Sequence, residues 1–518
     1  MAKYTLVIDQ GGKSTRAIVF NKNGEPIAYS SEPVDEPMPN TIENHIGYDI
    51  DRIVESTHLM LERLIEQLSP EKALKIKSVA LIAQRSSIVA CDKNGKALTT
   101  MISWQDMRHE GWLENQAFDQ EALQKLTGLR NNPHMGASKI RWLLDNDTVV
   151  KQHADQNNLI FMPWGAYFLQ RLRTNTLSTQ DNISLVTDPI LAARTGLVEY
   201  QQFSWSVQLL KKYGISKKYL PKITPTSHHY GELCLSGITI PIRLLGGDQN
   251  FIPCAYGTSH IKKNIFLNVG TGAFIQAHFT NNKPHRLLKT GIAIEKTPLS
   301  EPEGKPKKID NNNLTIIEGT VNAAATALDW WQAQLPRPFS YTEIDQIIDR
   351  NEIAPLFINA LSGSGSPYWL SPQAPVFLST NTITNNKKYN IDDYNEEQKT
   401  LAVIESILFA CKINIDIICK LNKKLKYIII SGGLARSNSI CQILTDLTEM
   451  TVKRYNDSEA SARGVAFYLI NKKKYKPSIA PTLFQPNKEI RKNDNPQKRF
   501  LLYCREMEKR ADTKTTTL

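Results

Sequence analysis

The stretch YTLVIDQGGKSTRAIVF (4–20) is an apolar strand, a turn of glycine and hydroxyl residues, and a second apolar strand; KKNIFLNVGTGAFIQAHF (262–279) repeats that design in the second half of the chain. One polar-tipped hairpin is weak as a signal, and a pair in equivalent places predicts two related domains whose tips face each other across a cleft. The chain's 518 residues exceed what one hydrophobic core supports, and two domains of about 200 to 250 residues each are expected. The letters GGKST invite comparison with a P-loop, but that motif requires a glycine at position 7, where Val7 sits inside an apolar run. Taken alone, the first hairpin is most simply an ordinary turn. With its echo, backbone amides of the two tips, with Ser14 and Thr271, are placed to hold a triphosphate from both sides, and Lys13 and Arg16 add charge.

Hydrophobic content of 41% with 22% charged residues describes a globular chain. The N-terminus runs straight into a strand, and no apolar run is long enough to cross a bilayer, which points to a cytoplasmic protein without a membrane partner. Seven scattered cysteines form no C-x-x-C pair and are expected to be free thiols; no structural metal is indicated. The net charge of +12 is spread over short groups, KKYGISKK (211–218), NKKLK (422–426) and NKKKYKP (471–477). Solvated surface is the expectation, because nucleic-acid binding requires one basic face with interleaved aromatics. Association into a homo-oligomer stays open.

Between the hairpins the pattern alternates strands and helices, an α/β design. Helical spacing covers 49–68, a strand covers 76–84, and a second hairpin is expected in SSIVACDKNGKALTTMISW. DQEALQKLTG and ASKIRWLLDN read as helices. LGGDQNFIPCAYG (245–257) reads as strand, turn and helix. LKYIIISGGLARSNSICQILTDL (425–447) gives a strand, the pair Gly432 and Gly433, and a helix, a natural seat for ribose and phosphates. Segment 281–313, with a short apolar run ending in a Pro/Lys/Asn-rich tip, and segment 380–398, rich in Asn and charge, are expected as surface loops.

In this order the motifs resemble the FGGY carbohydrate kinases, their glycerol kinase branch above all, over nearly the whole chain. DQGGKSTRAIVF and NVGTGAF are similar to the family's two phosphate hairpins, GGDQNF to the segment of the catalytic aspartate, ASKIRWLLDN to a family signature and GTVNAAATALDWW to the helix beside adenosine. GSPYW, SGGLARSNSICQILTDL and SEASARGVAFYL match further landmarks, and the tail matches at Phe484, Pro486 and Tyr503. The resemblance implies an actin-like ATPase (ribonuclease H-like) fold, two α/β domains flanking a central cleft. It divides the chain into 1–244 with the acceptor and first hairpin, 245–475 with the nucleotide and catalytic base, and a tail, 476–518, packed on the core. It implies ATP and Mg²⁺ as cofactors and a small polyol or sugar as substrate.

Phosphoryl transfer to an alcohol needs a carboxylate to take the hydroxyl proton. The resemblance assigns this to Asp248, metal holding to Asp9, and phosphate contacts to Gly11, Gly12, Lys13, Ser14, Arg16, Gly270, Thr271 and Gly272. It puts Ala325, Asp329, Gly432, Gly433, Ser437 and Asn438 beside the nucleoside. Gly12 and Lys13 stand where the family usually has hydroxyl residues, and Ala325 and Asp329 stand where glycerol kinases carry Gly and Gln. The acceptor positions read Arg85, Ser86, Trp104, His134, Asp248 and Gln249; Ser86 and His134 replace a glutamate and a tyrosine of glycerol kinases. Losing a carboxylate that accepts substrate hydroxyls costs about 1 to 3 kcal/mol, which favours a different or larger acceptor. Glycerol kinase proper and a kinase-like binder without turnover are the alternatives.

Overall fold

The structure is a computed structural model that describes residues 4–38, 45–116, 118–173, 185–199, 202–256, 258–279, 289–292, 315–350, 353–380, 390–456, 459–470, 480–487 and 496–515. Two mixed sheets organise it. Across the first, the strands run Ser227–Leu235, Ile238–Gly247, Ile76–Ala83, Tyr4–Gln10, Ser14–Phe20 and Pro26–Pro33; across the second, Lys289–Ile292, Thr315–Val321, Ala273–Phe279, Asn264–Val269, Tyr427–Ser431, Thr451–Arg454 and Thr482–Phe484.

Both sheets follow one pairing rule. A hairpin's second strand is antiparallel to a third strand, and its first strand is flanked by two successive parallel strands and then an antiparallel edge. The second sheet adds one strand, Lys289–Ile292, beyond the third. The echo seen in the sequence is therefore a repeat of topology, with each hairpin opening one lobe.

Alternation along the first hairpin puts Leu6, Ile8, Ala17 and Val19 into one core and Val7, Ile18 and Phe20 into another, on the opposite face. The helix Ile50–Glu66 covers the first face. Asp49 caps it, accepting from the amides of Asp51 at 3.0 Å and Arg52 at 3.2 Å. The second face is covered in part by Ala462, Val465 and Ala466 of the helix Ala460–Ile470, which returns from the far end of the chain. The long helix Glu396–Leu421 sits in the second lobe's core, and Phe500, Tyr503 and Met507 of the C-terminal helix pack there as well.

The boundary expected at 244/245 falls inside the strand Ile238–Gly247, which belongs to the first sheet, and the helix Ala460–Ile470 packs on the first lobe although it lies within 245–475. The hairpin expected in SSIVACDKNGKALTTMISW forms, as the short strands Ile88–Cys91 and Met101–Ile102 paired antiparallel, and it belongs to a separate four-stranded sheet. Helices form at Gln120–Thr127, stopped by Gly128 at φ 73, and at Gly136–Asn146. LGGDQNFIPCAYG ends its strand at Gly247 and continues as a 3-10 helix, Asp248–Tyr256. Of the expected surface loops, 281–288, 293–313 and 381–389 lie outside the described residues, as does 471–477. The loop expected to reach 398 gives way to helix at Glu396, where Asn395 and Gln398 form a capping box. All seven cysteines are free. Among the described residues no helix is long and apolar enough to cross a membrane.

Candidate active site

The carboxyl ends of parallel strands gather the polar residues at one edge of the first sheet. Gln10 is in register with Ala83 and Ala83 with Gly247, so Asp9, Arg85 and Asp248 leave their strands at neighbouring points. A cleft of 720 Å³ opens there, lined by Asp9, Gly11, Arg16, Asp248 and Gln249 of this edge and by Asn268, Ser431, Gly432, Gly433 and Arg436 of the second lobe. Asn268 and Ser431 are register partners at the ends of their own parallel strands. The two lobes thus present equivalent strand ends to one space.

The first hairpin turns tightly, with the Gly11 amide donating to Ser14 O at 3.0 Å. Gly11 lines the cleft, and Gly12 and Lys13 are exposed at the tip. Asp9 and Arg16 are opposite each other on the hairpin ladder, which explains their ion pair at 2.7 Å; Arg16 also reaches Glu459 at 3.2 Å. Burial raises the Asp9 carboxyl from 3.8 to about 6, Arg16 opposes that rise, and Asp248 and Glu459 add to it. Its Oδ1 is buried and has no hydrogen-bond partner among the described residues.

Asp248 opens the 3-10 segment. Its Oδ1 accepts from the Gln249 amide at 2.8 Å, its Oδ2 from Gln249 Nε2 at 3.1 Å, and Arg85 Nε lies 3.7 Å from Oδ1. The segment is held from behind by Gly464, where a Cβ would come within 2.0 Å of the Phe251 carbonyl oxygen.

In the second lobe, the amides of Ala324 and Thr326 donate to Thr271 O and that of Ala325 to Gly270 O, so the helix Ala325–Gln332 starts on the second hairpin's tip. Gly272 packs there against the backbone of Val321 and Asn322. Asp329 is exposed one turn along. Gly432 has φ 100, and a Cβ on it would overlap the Val269 carbonyl oxygen at 2.4 Å; only glycine lets the two loops lie this close. Ser437 is buried as the cap of the helix Asn438–Thr448 and donates to Asp345. Asn438 Oδ1 accepts from Arg454 at 2.7 Å.

On the acceptor side, His134 Nδ1 lies 3.0 Å from Trp104 O, and their rings are 5.9 Å apart. Trp104 is exposed. Ser86 adopts φ 74, strained for a residue other than glycine, and its hydroxyl accepts from Arg194 Nε at 3.4 Å.

The cleft also contains residues the sequence reading did not single out: Asn268, Arg436, Arg454, Tyr455, Asn456, Glu459 and Ser461. Glu459 and Ser461 lie in a quoted motif, SEASARG, and that was their only signal. Arg454 had none.

The family model described as the N-terminal domain of the FGGY family of carbohydrate kinases matches residues 4–251, and the model of its C-terminal domain matches 289–469. A glycerol kinase of Coxiella burnetii is 28% identical over 476 residues, covering 90% of this chain and 88% of its own. One of Caldanaerobacter subterraneus is 26% identical, covering 96% and 94%. In fold, the chain superposes on Plasmodium falciparum glycerol kinase solved with ADP (TM-score 0.76, 18% identity, 99% and 98% covered). It superposes equally on a gluconate kinase of Lactobacillus acidophilus (TM-score 0.76, 20% identity, 99% of each chain). With both family domains matched in order over most of its length, the chain belongs to the FGGY family of carbohydrate kinases, ATP-dependent phosphotransferases of sugar and polyol hydroxyls.

Proposed function

We propose that this chain moves the γ-phosphoryl group of ATP to a hydroxyl of a polyol or sugar other than glycerol, with Asp248 as the base. One observation carries the reading: Asp248 shares a single cleft with Asp9 and Arg16 on one side and the Gly432–Gly433 turn on the other.

The donor set fits a hard divalent cation. Asp9 offers a buried oxygen with no hydrogen-bond partner among the described residues, its carboxyl is pushed up by burial, and Asp248 is close enough to contribute to that rise. Mg²⁺, when bound, would neutralise phosphate charge, and Asp9 would hold it. The remaining work falls to the protein. Arg16 and the tip backbone at Gly12 and Lys13 grip phosphate oxygens, the Lys13 side chain supplies a point charge in place of a family hydroxyl, and the second tip, Gly270–Thr271 with Gly272 at its base, holds them from the other lobe. Gly433, Asn438 and the helix that starts at Ala325 flank the nucleoside. Gln249 steadies the base through both of its carboxylate oxygens. Asp248 then takes the proton of the acceptor hydroxyl as the acceptor oxygen attacks the γ-phosphorus and the bond from that phosphorus to the β-phosphate oxygen breaks, releasing ADP.

Acceptor choice follows from the donors. Arg85 and the Ser86 hydroxyl, which accepts from Arg194, face the acceptor's oxygens, whereas the carboxylate that would accept from glycerol's hydroxyls is replaced. The test is ADP release and product formation with Mg²⁺ and an acceptor panel from trioses through hexitols and ketoses, for wild type and Asp248→Asn. The expected result is turnover with an acceptor larger than glycerol, reduced about 10²- to 10⁴-fold in the variant. Equal turnover by Asp248→Asn would remove that residue from the chemistry. Nucleotide binding without any phosphorylated acceptor would favour a binding role.

A further inference from the structure

We infer that Glu318 is a cross-lobe positioning residue: from the second lobe it fixes the guanidinium of Arg85 in the first, so that the acceptor side of the site is complete only when the lobes are apposed. The inference rests on the reading of Arg85 as an acceptor-binding residue.

Glu318 sits in the middle of the strand Thr315–Val321 and is 2% exposed. Its register partner Gln276 donates Nε2 to its Oε2 at 2.8 Å. Two cations reach it from the other lobe. Arg85 Nη2 lies 3.1 Å from Oε2, and Arg194 Nη1 lies 3.7 Å from Oε1. Arg85 is held further by Asn250 Oδ1, 3.4 Å from Nη1, and by the ring of Phe274, whose centroid is 5.9 Å away. Its remaining nitrogen, Nε, lies 3.7 Å from Asp248 Oδ1. A single planar fork therefore touches the base with one edge and the opposite lobe with the other.

A carboxylate closed off from water is stable only beside cations, and both of these cations belong to the facing lobe. Separating the lobes rehydrates Glu318 and leaves Arg85 without its aim. Apposing them restores it. Arg194 completes the charge balance: burial, with Arg85 beside it, brings it down to about 10, so the two guanidiniums depend on the shared carboxylate. A rigid bidentate group suits this role, since a lysine at 85 would make one contact or the other.

The test uses the full-length protein and the acceptor identified by the panel above. Glu318→Gln keeps size and removes charge; it is expected to raise the acceptor KM about tenfold or more, with the MgATP KM changed by less than about twofold. Adding Arg194→Gln, which removes one of the two stranded cations, is expected to recover part of that loss. In small-angle X-ray scattering without nucleotide, Glu318→Gln is expected to have a larger radius of gyration than wild type, while Arg337→Gln, which breaks a surface pair within one lobe, is not. If Glu318→Gln fails to fold, Glu318→Asp is expected to shift the acceptor KM in the same direction. A fall in kcat with both KM values unchanged, or a double variant no better than the single one, would overturn the assignment. Should wild type phosphorylate no acceptor, the kinase reading fails by itself, and superimposable scattering curves would then overturn this one.

Discussion

Gly464→Ala tests how the fold aims Asp248, the proposed base. The added Cβ would stand 2.0 Å from the Phe251 carbonyl oxygen, 2.8 Å from its carbon and 3.2 Å from the Ala255 amide nitrogen. These are backbone atoms, so no side chain can swing aside, and the helix Ala460–Ile470 must back off by about 1 Å to restore ordinary contact. Overpacking of this kind costs about 1 to 3 kcal/mol, while replacing a helical glycine by alanine returns up to about 1 kcal/mol. The net loss of stability is therefore at most about 3 kcal/mol, small enough to leave a folded enzyme. Activity should suffer more. Phe251 lies three residues after Asp248 in the same 3-10 segment, and Glu459, which pairs with Arg16, immediately precedes the helix. A displacement of about 1 Å at a reacting group costs on the order of 10²-fold in rate. The assay is urea unfolding beside kcat/KM, both on the same preparation. A variant with wild-type kcat/KM, or one whose lost activity matches its unfolded fraction, would refute the claim that this helix sets the position of the base.

Asp9 should make the protein less stable as pH rises through the carboxylate range. Its folded value of about 6 exceeds the unfolded 3.8, so the folded chain holds the proton more tightly; the advantage is complete below about pH 4 and is lost by about pH 6, worth about 3 kcal/mol at about 1.4 kcal/mol per pH unit. Urea midpoints of wild type and Asp9→Asn between pH 4 and 7 should therefore diverge, the variant lacking this decline, and parallel curves would contradict the burial argument. At the other end of the chain, Arg499 donates Nε to Glu405 at 2.7 Å and Nη2 to its other oxygen at 2.5 Å, with both side chains closed off from water. Arg499→Met should cost about 3 to 5 kcal/mol by leaving the carboxylate without this partner. Adding Glu405→Leu should recover much of that in thermal unfolding, and an equally unstable double variant would count against a charge effect.

Local pattern was enough for the parts of the site that are themselves local. Apolar alternation over 4–20 and 262–279 fixed both hairpins, and the rung joining Asp9 to Arg16 follows from a three-residue turn between them. Gly432 was visible because its dipeptide ends an apolar strand, although its reason, the Val269 backbone beside it, is a contact between distant strands. What stayed hidden belongs to the meeting of the lobes. Arg85 and Glu318 are 233 residues apart, and nothing near either names the other; the one clue was a charged residue in the middle of the apolar run TIIEGTV, where burial demands a cation from elsewhere. The helix Ala460–Ile470 was equally mute about its destination: ASARGVAFYLI has no marked polar face, so its periodicity could not say which lobe it would cover. Its small residues Ala462, Gly464 and Ala466 carried that information as close approach, which becomes readable only with the opposing backbone in place. Elements and their turns are thus set by neighbours in sequence, whereas the aim of Asp248 and the setting of Arg85 are decided by contacts between segments far apart in the chain.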